Sequence, residues 1–302
     1  MVSGYMHHAY AESLAEFGTP HPLPRCGGWV LRRPVPGSDL EDAMWCYPLF
    51  CCPDWSRLRQ DLDDLRGRVV SLSVVTDPFG NYDEGYLKDC FGDVVLPFKQ
   101  HFVVDLGRPP ETFVHPHHRR NARKALGEVQ VEACADPPAL LDEWVTLYGT
   151  LVERHAVQGV AAFSRESFAR QLAVPGMAAF RAVHAGAVVG MLLWYAQGDV
   201  AYYHLGAYSP RGYELRASFA LFSHAIEHFT RRGLRWLNLG GGAGAGGGQS
   251  GLTRFKQGWS SGTRTAYFCG RVLDRRRYEE LAAAKGASPS EYFPAYRLGE
   301  FR

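Results

Sequence analysis

Three strand-like runs follow one another between Ala179 and Tyr208. They cover residues 179–184, 187–195 and 200–208, and they are rich in alanine, valine, leucine and aromatic residues. The connections between them, at residues 185–186 and 197–199, are only two or three residues long. Parallel strands need crossovers of a dozen or more residues, whereas antiparallel strands can be joined by tight turns. The spacing therefore predicts an antiparallel meander.

Helices are predicted on either side of this meander. Asp136 and the two prolines after it suit the first turn of a helix. One face of that helix would be apolar, with Leu140, Leu141, Trp144, Leu147, Tyr148 and Leu151. A second helix is predicted from about Tyr213 to Arg232, ended by Gly233, and a strand over 234–239 follows. The order helix, meander, helix, strand predicts an α+β fold, with a mixed and largely antiparallel sheet flanked by helices.

The first half of the chain mixes shorter elements. Residues 29–31, 69–75 and 101–106 have strand composition. Between the first two, leucines at 58, 62 and 65 have helical spacing, and Asp54 is a candidate N-cap. A further helix is predicted from near Pro116 to Leu126, stopped by Gly127.

Length and charge limit the possible functions. A chain of 302 residues forms one large domain or two of about 150 residues. The net charge of +2 predicts no global basic field, so any contact with a polyanion must use a local patch. No secretory signal and no apolar run of about 20 residues is visible. The seven cysteines are odd in number and lack CxxC pairs, so we expect reduced, mostly buried thiols in a cytoplasmic protein.

The strongest functional signal comes after the second helix. The strand over 234–239 runs into a glycine-rich segment, and residues 251–259 then place Lys256 among apolar and aromatic residues. Glycines let a backbone approach a ligand closely, and a lysine arriving there can neutralise negative charge that develops on oxygen. The combination predicts an acyl-transfer site with an electrophilic lysine. The alternative is a surface lysine at a strand end, opposite Gly258.

Four stretches of the chain resemble the Fem family of the GNAT superfamily. Fem proteins are non-ribosomal aminoacyltransferases that move amino acids from aminoacyl-tRNA to amines of peptidoglycan precursors, and related GNAT-like acyltransferases act in natural-product and polysaccharide pathways. The resemblance spans roughly residues 95 to 268. Its four stretches are 102–106 with 118–124; 188–194; 202–207; and 237–241 with 251–259.

The resemblance implies an N-acyltransferase that forms an amide between an aminoacyl group and an amine acceptor. The first half looks like a looser version of the elements in the second half, which predicts two pseudo-duplicated halves, a degenerate GNAT-like half over 1–130 and an acyltransferase half over 131–302. Phe255 and Lys256 carry over as the catalytic pair. Asn238 departs from the family, whose members often have Asp before the Leu-Gly pair.

Four cations on the predicted helix over 116–126 are candidates for phosphate recognition. Arg119, Arg120, Arg123 and Lys124 fall at i, i+1, i+4 and i+5, which gives two adjacent pairs on one helical face. The phosphates would belong to tRNA or to the acceptor. The alternative is a solvated charged face, which is the usual meaning of such a run.

His204 is a candidate proton acceptor for the attacking amine. It lies in the strand over 200–208, where alternation would place it on the same face as Tyr202. The alternative is a hydrogen-bonded core histidine. Asp105 is a weaker candidate for the cleft. Further candidates for binding the donor or substrate are Tyr202, Asn238, Gly240, Gly241, Arg254 and Trp259.

The donor is the most open question. Acetyl-CoA enzymes of the GNAT superfamily usually carry a glycine-rich loop whose amides hold pyrophosphate. The corresponding segment, 209–218, has only one glycine, which favours aminoacyl-tRNA or a carrier-bound donor over CoA. An acyl-CoA or acyl-carrier-protein N-acyltransferase and a non-catalytic GNAT-like binding protein stay open as alternatives. No tightly bound cofactor is expected.

Two other motif matches are rejected. Residues 242–247 fit GxGxxG, but no helix follows and no acidic residue stands about 20 positions on, so a Rossmann site is not predicted. The histidines at 115, 117 and 118 lack a second ligand cluster, and no metal site is predicted. The oligomeric state and the acceptor, a small amine or a peptide, stay open.

Overall fold

The computed structural model describes residues 2–155, 159, 162–242, 250–287 and 292–300. The chain forms two compact units. The central unit consists of Met1–Gly4 and Lys99–Arg264, and the terminal unit consists of Tyr5–Phe98 and Thr265–Arg302. The division at residue 130 into two pseudo-duplicated GNAT-like halves stays a prediction.

The terminal unit begins with short helices and strands. In chain order they are α1 (His8–Ser13), β1 (Thr19–Leu23), β2 (Gly28–Pro34), β3 (Glu41–Trp45), α2 (Leu58–Asp64), β4 (Ser71–Val75) and α3 (Glu84–Phe91). The strands expected at 29–31 and 69–75 are present. The Asp54 carboxylate accepts a hydrogen bond from the Ser56 amide and caps the 3-10 turn that leads into α2.

The central unit contains the predicted meander. In chain order its elements are β5 (Val94–Asp105, which starts before the unit boundary), α4 (Pro116–Leu126), β6 (Gln130–Cys134), α5 (Leu141–His155), α6 (Arg165–Leu172), β7 (Met177–His184), β8 (Ala187–Gln197), β9 (Val200–Tyr208), α7 (Pro210–Glu214), α8 (Ala217–Arg231), β10 (Trp236–Gly240) and α9 (Gly251–Trp259). The chain then returns to the terminal unit with β11 (Gly262–Val272) and α10 (Arg275–Ala284).

The sheet of the central unit has the order β5-β10-β9-β8-β7-β6. Strands β7, β8 and β9 are antiparallel neighbours, which confirms the predicted meander. Because α8 carries the chain back across the sheet, β10 runs parallel to β9, with Asn238 beside Tyr202. Strand β10 is antiparallel to β5 on its other side, where Asn238 faces Val103. The end of β10 therefore lies between two strands, and the candidate site is built there.

The helix predicted from Tyr213 to Arg232 is interrupted. Helix α7 ends at Glu214, and Arg216 takes a left-handed conformation with φ of 57° before α8 begins. Gly212 permits this tight entry, since a Cβ there would overlap the carbonyl oxygen of Val189. The apolar spacing predicts the long helix correctly from α8 onward, but it carries no signal for the break.

Helix α8 supplies much of the core of the central unit. Phe222, Ile226 and Phe229 are almost fully buried, and the Trp194 ring on β8 lies 5.9 Å from Phe222 and 5.5 Å from Phe229 between ring centroids. Burying one such side chain contributes roughly 1.5–3 kcal/mol. The strands that carry the candidate site are thus held by a dense aromatic layer.

The terminal unit has its own hydrophobic core, and its strands are neighbours in the sheet. The strand order is β1-β2-β3-β4-β11, and β3 pairs parallel with β4. Near the C-terminus, the buried Arg297 guanidinium binds the Asp42 carboxylate (2.9 Å between Nη2 and Oδ1) and the Pro34 carbonyl. All seven cysteines of the chain are free and six are buried, as predicted.

Candidate active site

Lys256 lies on a short helix that the sequence analysis did not predict. Helix α9 begins after Ser250, whose hydroxyl accepts a hydrogen bond from the Thr253 amide and caps the helix. Lys256 and Trp259 are its two buried residues. Only 6% of Lys256 is exposed, so the structure contradicts the alternative of a surface lysine at a strand end.

The Lys256 ammonium group lies against the glycine backbone that follows β10. Its Nζ donates a hydrogen bond of 2.7 Å to the carbonyl oxygen of Gly241 and lies 5.6 Å from the centroid of the Tyr203 ring. Burial, with a smaller contribution from the charge of Lys99, lowers the pKa of Lys256 to about 7. The group is therefore close to its midpoint of ionisation at neutral pH, and an oxyanion placed beside it would favour the charged form.

Glycine is required at the turn that meets this lysine. Gly240 has φ of +76°, and a Cβ there would lie 3.1 Å from Lys256 Nζ. A Cβ on Gly241 would lie 3.1 Å from the Cδ of Lys99. The backbone can approach both lysines only because it lacks side chains. Residues 243–249, which include most of the GxGxxG match at 242–247, lie outside the described residues.

Asn238 links this turn to a residue that the sequence analysis treated only as part of a strand. Its Oδ1 accepts a hydrogen bond of 2.9 Å from the Gly240 amide and lies 3.0 Å from Nδ1 of His101 on β5. Asn238 and His101 are both buried. Burial, together with the charges of Lys256 and Lys99, lowers the pKa of His101 to about 4, against the opposing effect of the Asn238 hydrogen bond. No sequence motif marks His101, since its role depends on pairing between strands far apart in the chain.

The four predicted cations lie on the solvent side of α4. Arg119, Arg120, Arg123 and Lys124 are all exposed, while the other face of the helix is buried through His118, Asn121, Ala122 and Ala125. Within the described part of the chain, none of the four makes an ion pair; Arg120 contacts only the His117 ring, at 3.3 Å between Nη2 and Nδ1. The helix thus presents unneutralised positive charge to solvent, a pattern compatible with either interpretation of the run.

The buried face of α4 is fastened to the helix that carries Lys256. Nε2 of His118 donates a hydrogen bond of 3.0 Å to the carbonyl oxygen of Phe255, and the ring lies 5.2 Å from that of Trp259. Gly258 makes the contact possible, because a Cβ there would overlap the His118 ring. Phe255 and Trp259 also pack on Phe222 of α8. Both therefore hold α9 in place, and neither side chain has a polar group that contacts Lys256.

The structure places His204 away from Lys256. Its Nε2 lies 2.9 Å from Oε1 of Gln171 on α6, and burial lowers its pKa to about 3. A β-bulge puts His204 opposite no residue of β8, since Leu193 pairs with Leu205 and Trp194 with Tyr203. Tyr203 packs with Trp194 toward α8, whereas His204 packs with Tyr195 toward α6. The two neighbours thus face opposite sides of the sheet, and His204 has the environment of a core histidine.

The structure also gives the surroundings of three other candidates, Tyr202, Arg254 and Asp105. Tyr202 is buried on β9 beside Asn238 in the parallel pair. Arg254 is exposed on α9, two residues before the lysine. Asp105 at the end of β5 is ion-paired with Arg235, at 2.9 Å between Oδ2 and Nη2, rather than gathered with Lys256.

Residues 209–218 were compared with CoA-binding loops in the sequence analysis. Several of their backbone amides donate hydrogen bonds to acceptors within the same segment. The Gly212 amide donates to the Ser209 hydroxyl and the Tyr213 amide to the Ser209 carbonyl. The amides of Leu215 and Arg216 donate to carbonyls within the same segment. These donors are therefore not presented to a pyrophosphate group, in contrast to the helix N-terminus that such a group needs.

The mixed, largely antiparallel sheet flanked by helices agrees with the predicted GNAT-like fold. Residues 117–257 match the family described as acetyltransferase (GNAT) domain. The match covers the elements from α4 to α9, which contain the basic helix, the meander and Lys256. The match supports the predicted GNAT-like fold over these residues.

Three solved structures have a similar fold over 90–92% of this chain. FemX has a TM-score of 0.64 at 13% identity, covering 90% of this chain and 92% of FemX. The C-terminal domain (DUF2156) of a putative lysylphosphatidylglycerol synthetase from Agrobacterium fabrum gives 0.61 at 15% identity, covering 92% and 90%. L-PGS from Bacillus licheniformis gives 0.60 at 13%, covering 91% and 95%. At such identities the likeness concerns the fold, and it confirms the predicted Fem-type architecture.

No curated protein sequence matches the chain. Among the residues that the structure describes, no helix is both long and apolar enough to span a membrane.

Proposed function

We propose that the protein is an N-acyltransferase that moves an aminoacyl group from aminoacyl-tRNA to an amine, forming an amide. The observation that carries the proposal is the buried Lys256 ammonium group, held 2.7 Å from a glycine carbonyl at the end of β10. Attack of an amine on an ester carbonyl builds negative charge on oxygen. A fixed cation in a desolvated site stabilises that charge more strongly than water does.

Two observations support tRNA as the source of the acyl group. The exposed cations of α4 form a local positive face of the kind that phosphates require, on a helix fastened to α9 through His118 and Phe255. The amides of Gly212, Tyr213, Leu215 and Arg216 already donate within the 209–216 segment, which does not favour a CoA pyrophosphate there. The name of FemX and the Fem resemblance point the same way.

The acceptor is proposed as a small or cell-wall-related amine. The printed name of the lysylphosphatidylglycerol synthetase describes an aminoacyl ester of a lipid, so a hydroxyl acceptor is a second candidate on that likeness alone. The cytoplasm is the proposed compartment, because aminoacyl-tRNA is found there.

The donor is tested by incubating the protein with tRNA charged with a labelled amino acid, with and without a mixture of amine acceptors. We expect acceptor-dependent loss of the ester and appearance of an amide product. An acyl-CoA series, run under the same conditions, is the matched comparison. Consumption of acyl-CoA while every charged tRNA stays intact would replace this proposal with a CoA-dependent enzyme.

The basic helix is tested by the double substitution Arg120→Ala with Lys124→Ala. The variant is expected to bind charged tRNA about tenfold more weakly, with a shallower dependence of affinity on salt, since two phosphate contacts are lost. Arg276→Ala, which removes an exposed arginine from α10 in the terminal unit, is the control. Full retention of the salt slope in the double variant would show that α4 is only a solvated face.

A further inference from the structure

Three buried histidines of the central unit differ in what their Nε2 atoms contact. Nε2 of His118 donates to the Phe255 carbonyl, and Nε2 of His204 lies 2.9 Å from Oε1 of Gln171. Nε2 of His101 makes no hydrogen bond within the described residues, although the ring is buried. Nδ1 of the structural His118 is also buried without a partner, so an unpaired ring nitrogen alone does not mark a functional histidine. What distinguishes His101 is the position of its ring beside Gly241, whose carbonyl meets Lys256.

Hydrogen bonding fixes the tautomer of His101. The Gly240 amide can only donate, so the side-chain atom of Asn238 that it contacts at 2.9 Å must be the oxygen. The same oxygen lies 3.0 Å from Nδ1 of His101, and the ring nitrogen must then be the donor. Nδ1 carries the proton, which leaves a lone pair on Nε2.

The ring also lies next to the proposed oxyanion site. Cδ2 of His101, which is bonded to Nε2, lies 3.6 Å from the position of a Cβ on Gly241, and the carbonyl of Gly241 accepts the hydrogen bond from Lys256. The charged groups that act on His101 are Lys99 on its own strand and Lys256 on α9, both positive. They disfavour an imidazolium in the resting protein, so the lone pair is available at neutral pH.

We propose that His101 is the proton acceptor for the attacking nucleophile and that Asn238 is the residue that positions it. The proposal rests on the transfer reaction argued above. The amine nitrogen bonds to the carbonyl carbon, and the carbonyl π pair moves to the oxygen beside the Lys256 ammonium group. The amine proton passes to Nε2 of His101. When the intermediate collapses, the bond from carbon to the ester oxygen of the donor breaks, and Nε2 returns the proton to that oxygen.

The first test compares turnover of wild type, His101→Asn and Lys256→Met with the same donor and acceptor. Asparagine keeps an amide that can donate to Asn238 but lacks the basic nitrogen. His101→Asn is expected to lower kcat about 100-fold or more while donor affinity and Tm change little. Added imidazole is expected to restore part of the rate in His101→Gly and none in Lys256→Met.

The pH profile separates a proton acceptor from a residue that only supports the fold. Asn238→Asp keeps an acceptor for Nδ1 but adds a negative charge, which raises the pKa of His101. The acidic limb of kcat/KM is expected to move to higher pH by about one unit or more in this variant. An unmoved acidic limb would overturn the proposal.

A nitrogen-15 NMR spectrum of the labelled protein supplies a readout that needs no substrate. At pH 7 we expect the His101 ring to be neutral with its proton on Nδ1. A proton on Nε2 would overturn the proposal whatever the activity. If Lys256→Met abolishes transfer while His101→Asn stays within about threefold of wild type, the proton acceptor is wrong and the transferase function stands. If wild type transfers no acyl group from any donor, both fall.

Discussion

Two buried ionisable groups lie on opposite sides of strand β9, and their surroundings differ. On the α6 side, His204 is paired with Gln171 and packed between the Phe163 and Tyr195 rings. On the α8 and α9 side, Lys256 meets a glycine carbonyl and has another cation, Lys99, as its electrostatic neighbour. Burial lowers the pKa of both groups, so a shifted pKa does not tell them apart.

The neighbouring groups distinguish His204 from Lys256. Nε2 of His204 is paired with the side-chain amide of Gln171 on α6, as expected of a group that stabilises the core. Lys256 has no counter-ion among the described residues, and its closest charged influence is repulsive. A positive group buried at such a cost is stabilised when a negative charge arrives, which is the requirement of an oxyanion site.

Replacing Lys256 is expected to have the largest effect. Lys256→Met keeps the length of the side chain and removes the charge, so kcat is expected to fall at least about 100-fold with donor affinity nearly unchanged. The measurement is single-turnover transfer from the donor. Lys285→Met, which removes an exposed lysine at the end of α10, is the control for loss of one positive charge. Wild-type turnover in Lys256→Met would mean that both sides of β9 are structural.

The glycine turn offers a smaller and more selective test. Gly240→Ala places a Cβ 3.1 Å from Lys256 Nζ and strains a residue with φ of +76°. We expect about a tenfold loss of kcat and a loss of about 1–2 kcal/mol in the free energy of unfolding.

Gly186→Ala is the matched control for this strain. Gly186 has φ of +78° in the turn between β7 and β8, with nothing within 4 Å of an added Cβ. It should lose similar stability and keep full activity. Equal activity in the two variants would show that the Gly240 turn does not position Lys256.

The contrast between the His204 and Lys256 sites also shows how much of the structure can be predicted from the sequence. The meander, α4 and β10 were predictable because their signals are local: apolar runs, two-residue turns, a proline at the start and a glycine at the end of a helix. Lys256 was selected because glycines and a lysine are close in the sequence, and its catalytic role stays a prediction. Helix α9 was missed since its nine residues follow a glycine tract and have little room for helical periodicity.

The proposed role of His101 depends on a pairing between strands that are far apart in the sequence. His101 and Asn238 are 137 positions apart, and they meet because β10 inserts between β9 and β5. The residue pattern within β5 or β10 carries no information about this contact. His204 was a natural candidate by residue type, and the bulge at that position, together with a partner on α6, could be known only from the structure.

The pH dependence of stability tests the cost of the buried lysine. The pKa of Lys256 falls from 10.5 to about 7 on folding. Between those values the unfolded chain binds more protons than the folded one, so this group makes the protein more stable as pH rises from about 7 to about 10. Below pH 7 the full cost is present. Lys256→Met should therefore be more stable than wild type near pH 6, by as much as about 5 kcal/mol, and the difference should shrink toward pH 10.

Thermal unfolding of the two proteins over that pH range is the measurement. The exposed Lys285→Met variant controls for the change in net charge and should show a constant, small difference from wild type. A stability gap between Lys256→Met and wild type that does not depend on pH would mean that the ammonium group is solvated in solution.

The smallest expected change in activity is on the other side of β9. His204→Asn removes the ring from between Phe163 and Tyr195 and is expected to cost about 1–3 kcal/mol of stability, through lost packing and an altered bond to Gln171. The rate of transfer should stay within about twofold of wild type at a temperature where both proteins are folded, because the ring faces α6 and not Lys256. Turnover and thermal unfolding measured on one preparation give both quantities. A rate loss as large as that of Lys256→Met, with little loss of stability, would mean that a buried imidazole on the far face of the sheet takes part in the reaction after all.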